Sequence, residues 1–265
     1  MCDLECMCKR RWRIWAGGSA MVPSRSLVSE EAPDRDALTV AMAGIGMELA
    51  APAASEPNIE DTLLFASAEA MDGSELRILA LLVSWFGVHH EWVNADRLTK
   101  LVTARGSERV RALWAALAHW QVKDRRFARL AGCHRGAPLD LAPGAEFQIR
   151  RHGEDARFAG SPLRVPANLL RDRPGDIASP QALARRHRTY RWRIMMGPSY
   201  RADCWAALEA DPGLSAAALA RHAYASFATA WQVKRDFAIL RRRHSTAVRV
   251  DAPTLRSVSR SRSPR

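Results

Sequence analysis

This chain of 265 residues lacks the motifs that would assign it to an enzyme class directly. It has no P-loop, no nucleophile elbow and no glycine-rich dinucleotide fingerprint, so the common signatures of nucleotide binding and serine hydrolysis are absent. No uninterrupted apolar run approaches the roughly 20 residues that span a bilayer. The basic stretch Lys9–Arg11 is not followed by the sustained apolar region of a signal peptide. We therefore expect a cytoplasmic protein with no membrane partner.

Cysteine is also scarce, with only five residues in the chain. An odd number of cysteines in a chain of this length is not typical of a disulfide framework. Cys2, Cys6 and Cys8 lie close together but lack a fourth ligand nearby, and Cys133 lies beside His134 without a second ligand pair at zinc spacing. We therefore expect reduced thiols, no metal site and no cofactor.

Lysine is nearly absent, although the chain is strongly basic. Of its 40 basic residues only four are lysine and the rest are arginine, and the formal net charge is +12. Such a charge favours polyanionic partners such as nucleic acids. Much of it comes from residues 241–265, which contain eight arginines and a single acidic residue, so the remainder is only mildly basic. Charge alone therefore gives limited support for a nucleic-acid partner.

Composition and hydrophobic periodicity divide the chain into five segments. Residues 1–57 carry Cys-, Ser- and Ala/Pro-rich patches without a stable period, which predicts a disordered extension. Residues 58–160 predict a helical domain, and residues 161–198 a connector followed by a basic helix. Residues 199–244 predict a second helical module, and residues 245–265 a disordered Arg/Ser-rich tail. The predicted fold is mainly α, with two small helical modules.

The first module has a helical pattern followed by two strand-like segments. Helices are expected over Ile59–Ala70 and Ser74–Phe86, and after the capping residues Asn94 and Ser107. Strands over Asp124–Leu130 and Glu146–Arg151 would pair as a small β-hairpin near residues 124–158. Helices followed by a hairpin are the order of a winged helix. Two interpretations stay open: a divergent second winged helix, or an unrelated helical bundle.

The basic helix of the connector begins at a strong start signal. Ser179 stands at the cap and Pro180 at the first helical position, which predicts a helix running to about Met196. Arginines crowd most of its surface, and Arg186 and Arg193 are candidate contacts to nucleic-acid phosphates. The alternative is that these arginines form an ordinary solvated face.

The second module predicts three short helices in close succession. Ser199 caps the first, which ends before Asp211-Pro212-Gly213, and Ser215 starts the second over Ala216–His222. Ser226 caps the third, over Phe227–Leu240. The segment Tyr200–Leu240 resembles the helix-turn-helix of bacterial winged helix-turn-helix DNA-binding regulators. That resemblance implies DNA as the partner, a role in transcription regulation and a possible homodimer.

Helical phase separates two faces on the third helix of this module. Ala230, Val233 and Phe237 share the face expected to pack on the first two helices. The opposite face carries Ala228, Gln232 and Arg235, with Thr229 and Trp231 on its flanks. Glutamine can bond bidentately to adenine and arginine to guanine. The helix end at Ser226 suits a phosphate, because its backbone N–H groups and dipole are positive there. The alternative is a plain solvated face.

The chain departs from the family pattern at two places. Tyr224 occupies the turn position that usually offers glycine, which predicts a wider turn. No second strand follows Thr246–Val250, so the wing is not supported.

The predicted function is therefore a non-enzymatic DNA-binding protein. A protein-interaction module built on the same geometry is the main alternative. A hydrolase or metal enzyme centred on His152, Glu154 and Asp155 is a remote one, since these residues read more simply as a polar turn.

Overall fold

The structure is a computed structural model that describes residues 32–246, with side chains through Arg241. Its α-helices are α1 (Arg35–Gly44), α2 (Ile59–Asp72), α3 (Leu76–His89), α4 (Ala95–Arg105), α5 (Glu108–Trp120), α6 (Ala128–Ala131), α7 (Ala145–His152), α8 (Pro180–Arg186), α9 (Arg188–Met196), α10 (Tyr200–Ala210), α11 (Ala216–His222) and α12 (Phe227–Thr246). Short 3-10 helices lie at His90–Trp92, Arg125–Phe127 and Pro174–Asp176. The described sheet has two strands, β1 (Leu139–Asp140) and β2 (Leu163–Arg164). The prediction of a mainly α fold is confirmed.

Three of the predicted capping residues begin their helices as expected. The side chains of Asn58, Asn94 and Ser107 each accept a hydrogen bond from the backbone N–H three residues later, at 3.1, 3.2 and 3.3 Å. These bonds satisfy N–H groups that have no partner within the first helical turn.

The central helix α3 is buried on nearly all sides, as its apolar sequence predicts. Its predicted ends were wrong, however. Ser74 lies before the helix with a φ of 58°, and Glu75 stands at its cap without a side-chain capping bond. The helix also continues through Gly87 to His89. A Cβ on Gly87 would lie 2.9 Å from the indole of Trp120, so this glycine serves close packing rather than a helix end.

Aromatic side chains from α3 and α5 form the centre of the main core. Trp85 and Trp114 are fully buried, and Phe86 packs edge-on against Trp114 with ring centroids 5.5 Å apart. Each indole N–H is satisfied: Trp85 Nε1 donates to the Ile45 carbonyl at 2.8 Å, and Trp114 Nε1 donates to Ser67 Oγ at 3.0 Å. Both large rings are therefore buried without an unpaired donor.

The prediction that residues 1–57 are a disordered extension was wrong for the part that the structure describes. Asp34 caps α1, and its carboxylate accepts the Ala37 N–H at 2.7 Å. Met42, Ile45 and Met47 are buried in the main core. The helix is short and adjoins an Ala/Pro-rich stretch, so its apolar period is too brief to stand out in the sequence. Residues 1–31 lie outside the described part of the chain.

The predicted hairpin near residues 124–158 was also wrong. Residues 125–131 form a 3-10 turn and α6, and residues 145–152 form α7. Asp124 favours the turn, because its carboxylate accepts the Arg126 N–H at 3.1 Å. The observed strands β1 and β2 are parallel, with Leu139 opposite Leu163. Residues 112–118 of α5 are buried as well. Without the predicted hairpin, this module resembles the helical bundle that was the second interpretation, rather than a winged helix.

Residues 161–198 are not a connector. Leu163, Val165, Leu170 and Leu183 lie in the main core. The predicted basic helix is broken into α8 and α9 at His187, which has φ −118° and ψ 106°. The His187 imidazole Nδ1 then caps α9 by accepting a backbone N–H at 3.2 Å. Residues 32–196 thus form one unit, which we call the N-terminal body.

A second, smaller core is formed by α10, α11 and α12, and Trp192 of α9 packs against it. We call residues 199–246 the helix-turn-helix unit. Its last helix extends to Thr246, beyond the predicted end at Leu240. The predicted strand after Thr246 and the rest of the predicted tail, from residue 247, lie outside the described residues.

Candidate nucleic-acid interface

The helix-turn-helix unit begins each helix at the serine that the sequence marks. The hydroxyls of Ser199, Ser215 and Ser226 each accept a hydrogen bond from the backbone N–H three residues later, at 3.4, 3.1 and 3.1 Å. Between α10 and α11 the chain turns at Asp211, whose carboxylate accepts the Gly213 N–H at 2.8 Å. The unit therefore has the predicted succession of three helices, and the third is longer than predicted.

The two faces of α12 lie as helical phase predicts. Ala230 and Val233 are buried against the small core, and Phe237 packs on Trp205 with ring centroids 5.4 Å apart. Leu208 and Leu219 supply the opposing surfaces from α10 and α11. The packing face of α12 is thus confirmed, and it directs the other face outward.

The outward face of α12 carries the predicted contact residues. Ala228, Gln232 and Arg235 are exposed, and they share a shallow groove with Phe227 and Trp231. Trp231 is 53% exposed and Phe227 47%. The sequence assigned Trp231 only to a flank, and the exposure of Phe227 was not anticipated. We call these five residues the exposed face of α12.

The polar groups of this face make only a few exposed contacts within the protein. Arg235 lies 5.5 Å from the Trp231 ring centroid and 3.3 Å from the Asp236 carboxylate. Asp236 is shared with Arg201, at 2.9 Å. At the start of the helix the hydroxyls of Ser226 and Thr229 are 2.9 Å apart, with Ser226 exposed and Thr229 half-buried. Arg235 can therefore turn toward a ligand at small cost, since exposed ion pairs contribute little.

The turn before α12 contains the departure noted in the sequence. Tyr224 has a φ of 53°, so it adopts the left-handed conformation that glycine usually supplies. The turn is therefore not widened as we expected. For a bulky residue this conformation costs on the order of 1 kcal/mol or more. The Tyr224 side chain contacts the N-terminal body, and these contacts offset part of the cost of the backbone conformation.

Arg193 is not a phosphate contact, and this prediction was wrong. Its side chain is 1% exposed and lies between two carboxylates. It donates to Glu60 at 2.6 and 2.9 Å and to Asp203 at 2.8 and 3.1 Å. The sequence shows a row of arginines on α9 and neighbouring positions, but Glu60 is 133 residues away and could not be paired with Arg193 from local pattern. Arg193 instead joins α2, α9 and α10.

Arg186 is exposed, as predicted, but it lies beside α1. Its guanidinium is 3.5 Å from the Ala43 carbonyl at the end of that helix. Its helix, α8, packs on α9 rather than forming part of the helix-turn-helix unit. Arg186 therefore belongs to a different surface element from the exposed face of α12.

A buried ionic cluster joins the helix-turn-helix unit to the N-terminal body. It contains Glu60 and Asp61 of α2, Arg97 of α4, Arg193 of α9 and Asp203 of α10. Burial opposes ionisation of Glu60, but Arg193 and Arg97 outweigh burial and hold the pKa of this carboxyl below its usual range. Burial likewise opposes the charge of Arg193, yet Asp203 and Glu60 raise its pKa. The central pair is therefore ionised at neutral pH.

The fold does not bring His152, Glu154 and Asp155 together into the site that the remote enzyme alternative would need. His152 is exposed at the end of α7, and the Asp155 carboxylate accepts Arg157 at 2.7 and 3.0 Å. Glu154 forms a backbone bridge with Pro166. Among the described side chains, no hydrogen bond or ion pair joins these three residues.

The two cysteines within the described residues are not activated thiols. Burial raises the pKa of Cys133 to about 11 and that of Cys204 to about 12. Both are therefore neutral near pH 7, and nucleophilic chemistry requires the thiolate. Between residues 32 and 246, no group of three or more His, Cys, Asp or Glu side chains is arranged to hold a metal ion. Cys2, Cys6 and Cys8 lie outside that range.

Comparisons with known proteins give no family assignment. No protein-family model, no curated protein and no solved structure matches the chain. Across the described part of the chain, none of the helices combines the length and apolar character needed to cross a bilayer.

Proposed function

We propose that this protein is a cytoplasmic, non-enzymatic DNA-binding protein, a transcription regulator, and that α12 enters the major groove of its DNA. The exposed face of α12 is the observation that carries the proposal. Gln232 and Arg235 project from a helix whose opposite side is fixed by Ala230 and Val233. A rigid helix with an outward glutamine and arginine suits direct reading of base edges.

The dimensions of this face suit the groove. An α-helix with its side chains is about 10–12 Å in diameter, and the major groove is about 12 Å wide. Gln232 and Arg235 are three residues apart and so lie on one side of the helix, within reach of neighbouring base pairs. The start of α12, at Ser226, would lie near the sugar-phosphate backbone, where its dipole favours a phosphate.

Exposed basic residues beside the turn support the same orientation. Arg221 and His222 end α11 and are exposed, a few residues before Ser226. In helix-turn-helix proteins the helix before the turn crosses the DNA backbone. Arg221 is therefore a candidate phosphate contact. It could not be selected from the sequence, because one arginine near a helix end carries no distinguishing pattern. Binding of two copies to a repeated site remains a prediction.

The protein-interaction alternative rests on a different property of the same face. Phe227 and Trp231 present exposed aromatic surface, and aromatic residues are enriched at the centres of protein interfaces. Such an interface would depend chiefly on apolar burial, whereas DNA binding depends on neutralised phosphates.

A salt titration of binding to mixed genomic duplex fragments separates the two functions. For DNA binding, the logarithm of the association constant should fall linearly with the logarithm of salt concentration, because counterions are released from the phosphates. Several phosphate contacts would reduce affinity by about tenfold or more between 50 and 200 mM salt. No measurable binding at low salt, or binding insensitive to salt, would contradict the DNA-binding proposal.

A further inference from the structure

The turn that leads into α12 is held by the N-terminal body. The Arg97 guanidinium lies over the Tyr224 ring, 3.5 Å from its centroid. Asp61 holds both partners: one carboxylate oxygen accepts Arg97 Nη2 at 2.7 Å, and the other accepts the Tyr224 hydroxyl at 3.4 Å. Arg97 and Asp61 belong to α4 and α2, so the contact crosses from one unit to the other. We call Asp61, Arg97 and Tyr224 the turn clamp.

The Tyr224 ring covers a guanidinium that is otherwise only partly paired. Arg97 is buried, and its Nη1 atom has no hydrogen-bond partner among the described residues. The aromatic face of Tyr224 is therefore an important cover for the guanidinium, through a cation–π contact. A flat guanidinium stacks on a ring in a way that an ammonium cannot. Tyr224 also sits in a conformation that glycine would adopt more easily.

A second contact fixes the other end of the unit. Asp203 of α10 is buried against Arg193, which is anchored in turn to Glu60 of the N-terminal body. Glu60 and Asp61 are neighbours on α2, so one turn of this helix contacts both the first helix and the turn of the helix-turn-helix unit. Further contacts hold α10: the Tyr200 hydroxyl donates to Asp96 at 3.0 Å, and Trp192 of α9 stacks on Trp205 with ring centroids 5.4 Å apart. The turn clamp is the contact nearest to the start of α12.

We propose that the turn clamp orients α12, and that Asp61, Arg97 and Tyr224 are positioning residues for the DNA contact. The inference rests on the proposed function, since orientation matters only if α12 reads a ligand. The N-terminal body then contributes to binding without touching DNA, by holding the exposed face of α12 at a fixed angle. A loosened clamp would leave the three helices intact but let α12 move relative to the body.

Two substitutions at Tyr224 separate this role from a simple turn requirement. Tyr224→Gly removes the ring but suits the left-handed backbone, so a residue needed only for the turn would tolerate it. Tyr224→Phe keeps the ring over Arg97 and loses only the long hydroxyl contact. Arg97→Lys keeps the charge and loses the stacked plane, and it tests the clamp from the other side.

Three quantities are measured on the full chain: amide hydrogen exchange, melting temperature, and affinity for a duplex that the parent protein selects from the genomic fragments. We expect Tyr224→Gly and Arg97→Lys to exchange faster at residues 221–226 and 58–61 and to bind DNA about tenfold more weakly. Tyr224→Phe should stay within about threefold of the parent. Helix content should be unchanged in all three variants, because none of the three clamp side chains belongs to the apolar clusters that hold the helices together.

The outcomes decide the proposal separately from the DNA-binding function. Unchanged exchange at both segments in Tyr224→Gly and Arg97→Lys would overturn the clamp. Faster exchange with unchanged DNA affinity would overturn the positioning role. If the parent protein binds no DNA, the proposed function fails, and with it the positioning role, whereas the exchange measurement still tests the docking of the turn.

Discussion

Replacing Arg193 by methionine tests the buried ionic cluster most severely. Methionine has a similar length and fills much of the same space, but it removes the four hydrogen bonds to Glu60 and Asp203. Glu60 is then fully buried with Arg97 as its remaining cationic neighbour, at 3.6 Å. Removing one partner of a buried ion pair costs about 3–5 kcal/mol, because the remaining charge stays out of water. We expect a loss of that size in the free energy of unfolding.

Urea unfolding at neutral pH measures this loss, and Arg191→Met provides a matched control. Arg191 lies on the same helix, and its side chain, 41% exposed, pairs with Glu209 at the surface. An exposed pair contributes about 0–1 kcal/mol, so the control should unfold close to the parent. Equal stability of Arg193→Met and the control would refute the buried-cluster argument. A stable Arg193→Met variant with weakened DNA binding would restore the interpretation of Arg193 as a phosphate contact.

Three further predictions concern the N-terminal body. Ile45→Ala should lower the free energy of unfolding by about 2–5 kcal/mol in urea titrations, because Ile45 is buried in the main core; a neutral result would return α1 to a dispensable extension. Leu82→Ala should cost a similar 2–5 kcal/mol, since α3 is enclosed by the same core, and a loss below about 1 kcal/mol would contradict that enclosure. Burial lowers the pKa of His89 to about 4 from 6.5. The unfolded chain therefore takes up this proton first, and His89 should reduce stability by up to about 3 kcal/mol as pH falls from 6.5 to 4. Urea unfolding across that range checks the slope, which His89→Gln should reduce; an equal slope in parent and variant would assign it to other groups.

The local features of the fold could be predicted from sequence because their causes are local. Asn58, Ser107, Ser215 and Ser226 cap helices through bonds that span three residues. The packing and exposed faces of α12 follow from helical phase alone. These signals predicted which face of α12 is buried and which is exposed. They do not show whether that helix binds DNA.

Two of the wrong predictions concern features that depend on contacts between segments distant in the sequence. Arg193 looked like one more surface arginine, because nothing near it in sequence reveals Glu60. The chain around α1 looked disordered, because its few buried residues are recognisable only against α3. The predicted hairpin failed for another reason: short apolar segments such as 124–130 fit a strand or a helical turn equally well.

The long-range part of the candidate site was likewise invisible in the sequence. Tyr224 was noted as a departure from glycine, but its partners Arg97 and Asp61 lie more than one hundred residues earlier in the chain. The sequence therefore indicated the exposed residues of α12 and missed the groups that contact the turn before it.

The most direct test of the central claim is the DNA affinity of the double variant Gln232→Ala/Arg235→Ala. Its matched control is Gln181→Ala/Arg185→Ala, which removes an exposed glutamine and arginine from α8 instead. Both measurements use the duplex selected by the parent protein, at one fixed salt concentration.

A lost bidentate contact costs about 1–3 kcal/mol, so the α12 double variant should bind that duplex at least tenfold more weakly while keeping its helix content and melting temperature. The α8 double variant should bind within about threefold of the parent. Unchanged binding by a folded α12 double variant, or an equal loss in both variants, would contradict the assignment of α12 as the DNA-reading helix.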